Sequence, residues 1–445
     1  MLTAGALSKS KGIRSYMAHS WAVAWPMILI MFYEFLIGLT DVYVAGRVGK
    51  EIQATYGFVI QQYFILIIIA NALTVGTVSV VSRLFTSGNK DDLSEAVSSS
   101  LLVSAAAGAL LAGLGFVMAP WIMGWLNVPH ELKEFGIPFI RVYAAGLLFH
   151  YVLINSNGVL RSCGMIMASL KSMTVVCLVN IGLNLLLVFY TPLGYRGIAV
   201  ATASAVCVGS LMNLRYVKAV STGPRRFSRG PVTRMLDIGW PMGALQVLWQ
   251  LGSMVLFLIL SMLPEHRVEV LAALTTGLRL ESAIFLPAFA FNMANAVIIG
   301  NCLGERKPDD AYRSGLVTAA IGVGVVSVLS LAVVFSAQWI VPLLSHNEIV
   351  IREAVWYIYI NMIGEPIMAW AVILGGGLSG AGDTRSVMIR VALSIWLVRI
   401  PLCYVFVVLL GYGPVSVWWA MNASQVLHAF LIYRRYSGKG WLSSV

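Results

Sequence analysis

Charge is scarce in this chain. Only 11% of its 445 residues are Asp, Glu, Lys or Arg, while 59% are hydrophobic. A soluble protein of this length needs far more charge to cover its surface, so a water-facing globule is excluded. Paired cysteines are missing too. Cys163, Cys177, Cys207, Cys302 and Cys403 are scattered and form no CxxC pair, which supports neither a zinc site nor a disulfide framework. No GxxxxGK[ST] loop is present, so ATP does not drive the protein directly, and HExxH and GxSxG are absent as well. No cofactor, metal site or catalytic residue is implied. A cleavable signal peptide is not expected: the first 18 residues are polar and basic, and the apolar run after them is too long for an h-region.

The sequence is instead rich in apolar runs of about 20 residues, each long enough to cross a bilayer. Only helices or closed barrels satisfy the backbone in lipid, and a barrel would show alternating segments of about 10 residues. The expected class is an all-α polytopic membrane protein. Twelve spans are expected, near 19–45, 54–82, 96–124, 138–160, 172–190, 197–217, 236–262, 268–300, 314–343, 355–378, 390–410 and 413–433. With the N-terminus inside, 21 Lys and Arg fall in inside segments and six in outside loops. That bias places both termini in the cytoplasm. The net charge of +11 then reads as topology signals against anionic lipid, not as a nucleic-acid surface.

The chain also repeats itself. "AWPM" at 24–27 returns as "GWPM" at 239–242, and "GNKDDLSEA" at 88–96 answers "RKPDDAYRS" at 306–314. "GVLRSCG" at 158–164 answers "GGLSGAG" at 376–382, and "LGYRGIAVATA" at 193–203 answers "LGYGPVSVWWA" at 410–420. The offsets are nearly constant, from 215 to 218. Six spans per half keep both halves in one orientation, as parallel repeats about the membrane normal. The expected lobes are 1–217 and 236–445, joined by a basic, Pro/Gly-punctuated linker at 218–235. Two six-helix lobes with a cavity between them suit an alternating-access transporter. The small-residue patches at 105–115 and 375–382 read as close helix packing or bending points.

Several motifs now carry a resemblance. "WP" early in the first span, "LTDVYVAGRVG" at 39–49, "SRLFTSGN" after span two, "RLESAIFLPAFAF" at 279–291 and "GAGDTRS" at 380–386 resemble the MATE (multidrug and toxic compound extrusion) family. The likeness covers essentially the whole chain and is nearest the DinF-like branch. It implies the MATE/MOP-type fold and export of bulky, mostly cationic or amphipathic organic compounds against an inward proton or sodium gradient. The same superfamily includes lipid-linked oligosaccharide flippases. The resemblance implies a cation site at Asp41, Asn180, Asn184 and Thr202. Asn184 departs from the family pattern, which expects an acid. Span seven, where sodium-linked relatives carry an acid, offers only Gln246 and Gln250. Both departures favour protons over sodium as the coupling ion.

Depth counting agrees with that grouping. At about 1.5 Å per residue, Asp41 on span one, Asn184 on span five and Thr202 on span six fall at similar levels in the outer half. Asn180 sits one turn from Asn184 on the same face. Glu34 is seven residues before Asp41 and shares its face about 10 Å deeper. Intramembrane acids are functional by default, so Asp41 is the expected proton carrier, and Glu34 is a second candidate without a motif behind it. In the second half, Arg279, Glu281, Glu365 and Arg399 lie near mid-membrane. They form either a buried ion-pair network or a second coupling or drug-cation site, and Pro366 would kink span ten beside Glu365.

Candidate cavity residues are Tyr33, Trp249, Gln250, Met254, Phe257, Phe285, Phe289, Met293 and Trp370. Aromatic and Met side chains suit flat, greasy cations, and they suit lipid-facing or core positions equally. The lone histidines His19, His150 and His428 read as structural or interfacial. The expected protein is a monomeric, multi-pass bacterial inner-membrane antiporter. Its partners are small organic substrates, protons or else sodium, and the bilayer. Two rivals remain: a lipid-linked precursor flippase, which needs a strongly cationic cavity, and a membrane enzyme or scaffold, which needs a catalytic constellation or a large extramembrane loop.

Overall fold

The computed structural model describes residues 12–125, 130–224 and 226–442. The chain is built from long helices: α1 (Ile13–Val48), α2 (Lys50–Ser87), α3 (Lys90–Trp125), α4 (His130–Ser162), α5 (Ile166–Tyr190), α6 (Arg196–Val220), α7 (Arg229–Ser261), α8 (Arg267–Gly304), α9 (Pro308–Leu344) and α10 (Glu348–Gly380). Then come α11 (Thr384–Leu409) and α12 (Pro414–Ser437). Among the described residues, 11 helices are long and apolar enough to cross a membrane. The remaining helix, α12, matches the twelfth expected span and is more polar, with Asn422, Gln425 and His428 all buried. Each helix runs to the limits of its expected span or past them, give or take a residue. Helix continues beyond the apolar run because backbone leaving the hydrocarbon still gains its ladder bonds. Of the basic residues that set the expected orientation, Lys9, Lys11 and Arg225 lie outside the described residues.

Local sequence explains many helix ends. Gly88 takes φ +83° at the end of α2, a left-handed cap that favours glycine. Asp91 and Asp92 open α3, while Asp309 and Asp310 open α9, so the repeated "DD" places negative charge at two equivalent helix N-termini. Pro308 and Pro414 occupy first-turn positions, where their missing N–H costs nothing.

The helices group into two compact units. The earlier unit is Leu29–Gly243; the later one holds the described residues up to Ile28 and those from Ala244 onward. The chain therefore changes unit inside α1 and again inside α7, in each case two residues past a helix-interior proline, Pro26 and Pro241. Both prolines belong to the repeated "WPM". Against the expected lobes, 1–217 and 236–445, the difference lies in these first half-helices. A proline removes one ladder bond and loosens the helix at that turn, so each half-helix can pack with a different set of neighbours.

Among the described residues of the earlier unit, two apolar cores stand out. One gathers Val44, Tyr56, Val59, Tyr63, Phe139, Tyr143, Leu147 and Ile198. The other gathers Val81, Leu93, Val97, Leu160, Met235 and Ile238, the last two supplied by the first half of α7. The connection after α6 is strapped to α3: Ser221 Oγ and Ser94 Oγ are 2.7 Å apart, and the Ser228 N–H donates to Ser99 Oγ at 2.9 Å. In the later unit, Tyr16 donates to Asp310 at 2.7 Å and Ser20 meets Thr318 at 2.8 Å, which ties the start of α1 to α9. Asn292 and Asn295 donate to the carbonyls of Val372 and Ile373 at 2.6 and 2.8 Å. They pin α8 to α10 where a β-carbon at Gly380 would overlap the Ala296 carbonyl. The 375–382 patch is thus a close-packing surface, and at 105–115 Gly108 and Gly115 approach α4 in the same way.

Candidate functional site

Asp41 is 2% exposed, and α5, α6 and α2 each supply it with a neutral donor. Asn184 Nδ2 donates to Asp41 Oδ1 at 2.5 Å. Thr202 Oγ1 reaches Oδ2 at 3.2 Å, and the Tyr56 hydroxyl reaches the same oxygen at 3.4 Å. Asn180 Nδ2 donates to Thr202 Oγ1 at 3.1 Å. That bond turns the Thr202 lone pairs toward Asn180 and leaves its single proton for Asp41 or for the Ile198 carbonyl at 3.2 Å. Asn180 and Asn184 are fully buried, and the Oδ1 atom of each has no hydrogen-bond partner.

The four residues expected to meet therefore do meet, within one unit. The sequence reasoning missed Tyr56, which a hydropathy scan scores as one more aromatic in an apolar run. Glu34 does not join them. It lies exposed on α1 and feels the charge of Arg161. Chemically the Asp41 site is a carboxylate with no counter-ion beside it, held by three donors whose own positions depend on its charge.

The later unit carries the other charges. Glu281 accepts a hydrogen bond from the Tyr357 hydroxyl, and Glu365 lies against Glu281 with both carboxyl oxygens buried and no donor on either. Arg399 attracts both acids, donates from Nε to Ser424 Oγ at 2.9 Å and sits 5.6 Å from the Trp249 ring. It closes a π-helical turn, Ser394–Arg399, and Val405–Leu409 forms another. Such turns add a residue to the helix and rotate its later side chains about the axis. Arg279 is not part of this group. It is exposed, because two residues along a helix turn a side chain about 200° away from Glu281.

Of the cavity candidates, Met254 and Phe289 are 61% and 48% exposed and Gln250 is exposed too. Tyr33, Trp249, Phe257, Phe285, Met293 and Trp370 are half-buried. None is sealed in the core of its unit. Phe285 pairs with Phe289 at 6.1 Å, and Trp370 with Tyr433 at 6.1 Å.

One family model, MatE, matches residues 26–186 and 241–405. The chain is 21% identical over 436 residues to the uncharacterized transporter YisQ of Bacillus subtilis, covering 95% of this chain and 94% of that one. It is 25% identical to a probable multidrug resistance protein NorM of Rhodopseudomonas palustris, covering 98% and 95%. Its fold is similar to that of the Vibrio cholerae MATE transporter VcmN in the bent form, with a TM-score of 0.89, 18% identity and coverage of 96% and 97%.

Proposed function

The chain belongs to the MatE family, a family of multi-pass membrane transporters, and from that premise we propose that it is a secondary antiporter exporting bulky cationic or amphipathic compounds in exchange for protons. The observation that carries the coupling reading is Asp41. It is buried beside three neutral donors and no cation, so taking up one proton removes the cost of holding a bare charge in lipid. A protonated Asp41 is also a donor, and the amide oxygens of Asn180 and Asn184 are left without partners, so turning either amide over would offer it an acceptor. Loading and unloading the proton thus changes how α1, α5 and α6 hold one another, the kind of two-state element alternating access needs. The names of relatives such as NorM support organic drugs as the cargo. The half-buried aromatic and Met side chains of both units support the same cargo. The Lys/Arg bias supports both termini in the cytoplasm, and the bacterial relatives support a bacterial inner membrane.

Sodium is the second reading, favoured by those same two amide oxygens: with an Asp41 oxygen and Thr202 Oγ1 they amount to four hard ligands. Against it, both amides present N–H, not oxygen, to the site as it stands. The deciding experiment is dye efflux from proteoliposomes under an imposed pH gradient or an imposed sodium gradient, for wild type and Asp41→Asn. Efflux driven by the pH gradient and lost in Asp41→Asn is expected. Undiminished efflux in the variant removes Asp41 from the coupling, and efflux on sodium alone replaces the ion.

A further inference from the structure

Tyr56 does more than touch Asp41. It begins a line of ring side chains that leads away from the site inside the earlier unit. Tyr56 and Tyr63 are seven residues apart on α2, and Tyr143 and His150 are seven apart on α4, so each pair stacks on one helix face about 10 Å along its axis. The two helices run in parallel: Tyr56 meets Phe139 at 6.5 Å, Tyr63 meets Tyr143 at 5.1 Å and His150 at 5.7 Å, and Tyr151 donates to the Leu66 carbonyl. The pairs therefore form two rungs. The upper rung, Tyr56 and Tyr143, lies at Asp41, where Tyr143 interacts with Asp41, Tyr56 and Thr202 and its hydroxyl completes no hydrogen bond. On the lower rung the Tyr63 hydroxyl and His150 Nδ1 share a bond of 2.7 Å.

Packing alone does not call for this chemistry. Phe139 stacks on Tyr143 with centroids 6.2 Å apart, so the cluster accepts a ring with no hydroxyl. Tyr56, Tyr63 and Tyr143 are each less than a tenth exposed, and burying a hydroxyl is unfavourable unless its bonds are used. His150 is half-buried and ends the line at the margin of the core. Tyr63 from α2 and Tyr151 from α4 are the titratable groups around it, and no charged side chain acts on it.

We propose that Tyr56, Tyr143, Tyr63 and His150 are the relay that carries the coupling proton between Asp41 and the cytoplasmic half of the earlier unit. The inference rests on Asp41 as the proton carrier. In discharge, Asp41 gives its proton to the Tyr56 oxygen as Tyr56 releases its own toward Tyr143. Tyr143 and Tyr63 repeat the exchange, with a water bridging their hydroxyls. Nδ1 of His150 takes the proton from Tyr63 as Nε2 releases one to solvent water at the margin of the core, and a ring flip then restores the tautomer that accepts at Nδ1. Each relay group returns to neutrality, Asp41 is left ionised, and one proton has moved.

The test uses the full chain in proteoliposomes, with internal pH read by a trapped dye under an imposed pH gradient. His150→Ala, His150→Gln and Tyr63→Phe are each expected to slow proton flux about tenfold, which is about 1.4 kcal/mol on the barrier, with thermal unfolding unchanged. Added imidazole is expected to restore His150→Ala and not Tyr63→Phe. Wild-type flux in the His150 variants overturns the relay, and so does a loss that imidazole leaves unrestored, since that is the signature of packing. Asp41→Asn, run in parallel, separates the two ideas. If it abolishes flux while the His150 variants keep theirs, only the relay falls; if it keeps full flux, the carrier assignment itself falls.

Discussion

The two units hold their buried intramembrane acids in opposite ways. In the earlier one, Asp41 stands alone among neutral donors. In the later one, Glu281 and Glu365 lie together with Arg399 near both. A lone carboxylate balances its charge only by taking a cation from outside the protein, so its occupancy depends on the gradient. Two carboxyls and one guanidinium already contain most of their own compensation and need at most one further positive charge. The contrast supports the proposal that the first arrangement exchanges ions and the second holds the architecture, and it can be broken by substitution.

The largest expected effect is on transport. Asp41→Asn keeps the shape and most donors but cannot load a proton, so pH-driven dye efflux should fall to the level of empty liposomes, with the unfolding temperature little changed. The reverse pattern is expected of Arg399→Gln. Removing one partner of a buried charge group costs about 3–5 kcal/mol, visible as a large drop in thermal stability in detergent. If Asp41→Asn unfolds the protein and Arg399→Gln does not, the assignment of roles is inverted. Asn184→Asp gives the first site a second carboxylate. Efflux should then respond to a sodium gradient, and a variant indifferent to sodium means that the oxygens are too far apart to share an ion.

Smaller effects sharpen the comparison. Thr202→Val removes one donor from Asp41 while keeping the branched shape. The expected loss is about 1 kcal/mol, roughly a fivefold change in apparent proton affinity read from the pH dependence of efflux. With one donor to the ionised form gone, the neutral form is favoured, so the half-effect should move to higher pH. Arg279→Gln should change stability by no more than about 0.5 kcal/mol, because this exposed side chain takes no part in the Glu281 group.

Much of the molecule is legible in its sequence, for identifiable reasons. Apolar run length marks the helices because the bilayer allows few alternatives, and the repeated "WPM" marks the two places where the chain changes unit. Depth counting brings Asp41, Asn184 and Thr202 to one level because helix rise is nearly constant. The same counting fails for Arg279, since depth says nothing about the direction a side chain takes around the axis. It also passes over Tyr56, Tyr63, Tyr143 and His150. Each is unremarkable alone, and their meaning lies in two seven-residue spacings on helices that have to be known to pack side by side. Pairs of hydroxyl or imidazole side chains two turns apart, recurring on separate spans, are the signal that would have found them.

The crossings inside α1 and α7 bear on how such a chain could have arisen and how it can be divided. Since the first half of each of these helices packs in the unit that the other repeat completes, neither half of the sequence encodes a whole unit. A polypeptide cut between α6 and α7 would yield two fragments, each missing the opening half-helix of its own bundle and carrying that of the other. Expressed singly they should be degraded; expressed together they should trade those segments and survive. By the same reasoning, a single ancestral repeat would have been complete only as a pair of identical chains that lent each other their first half-helix.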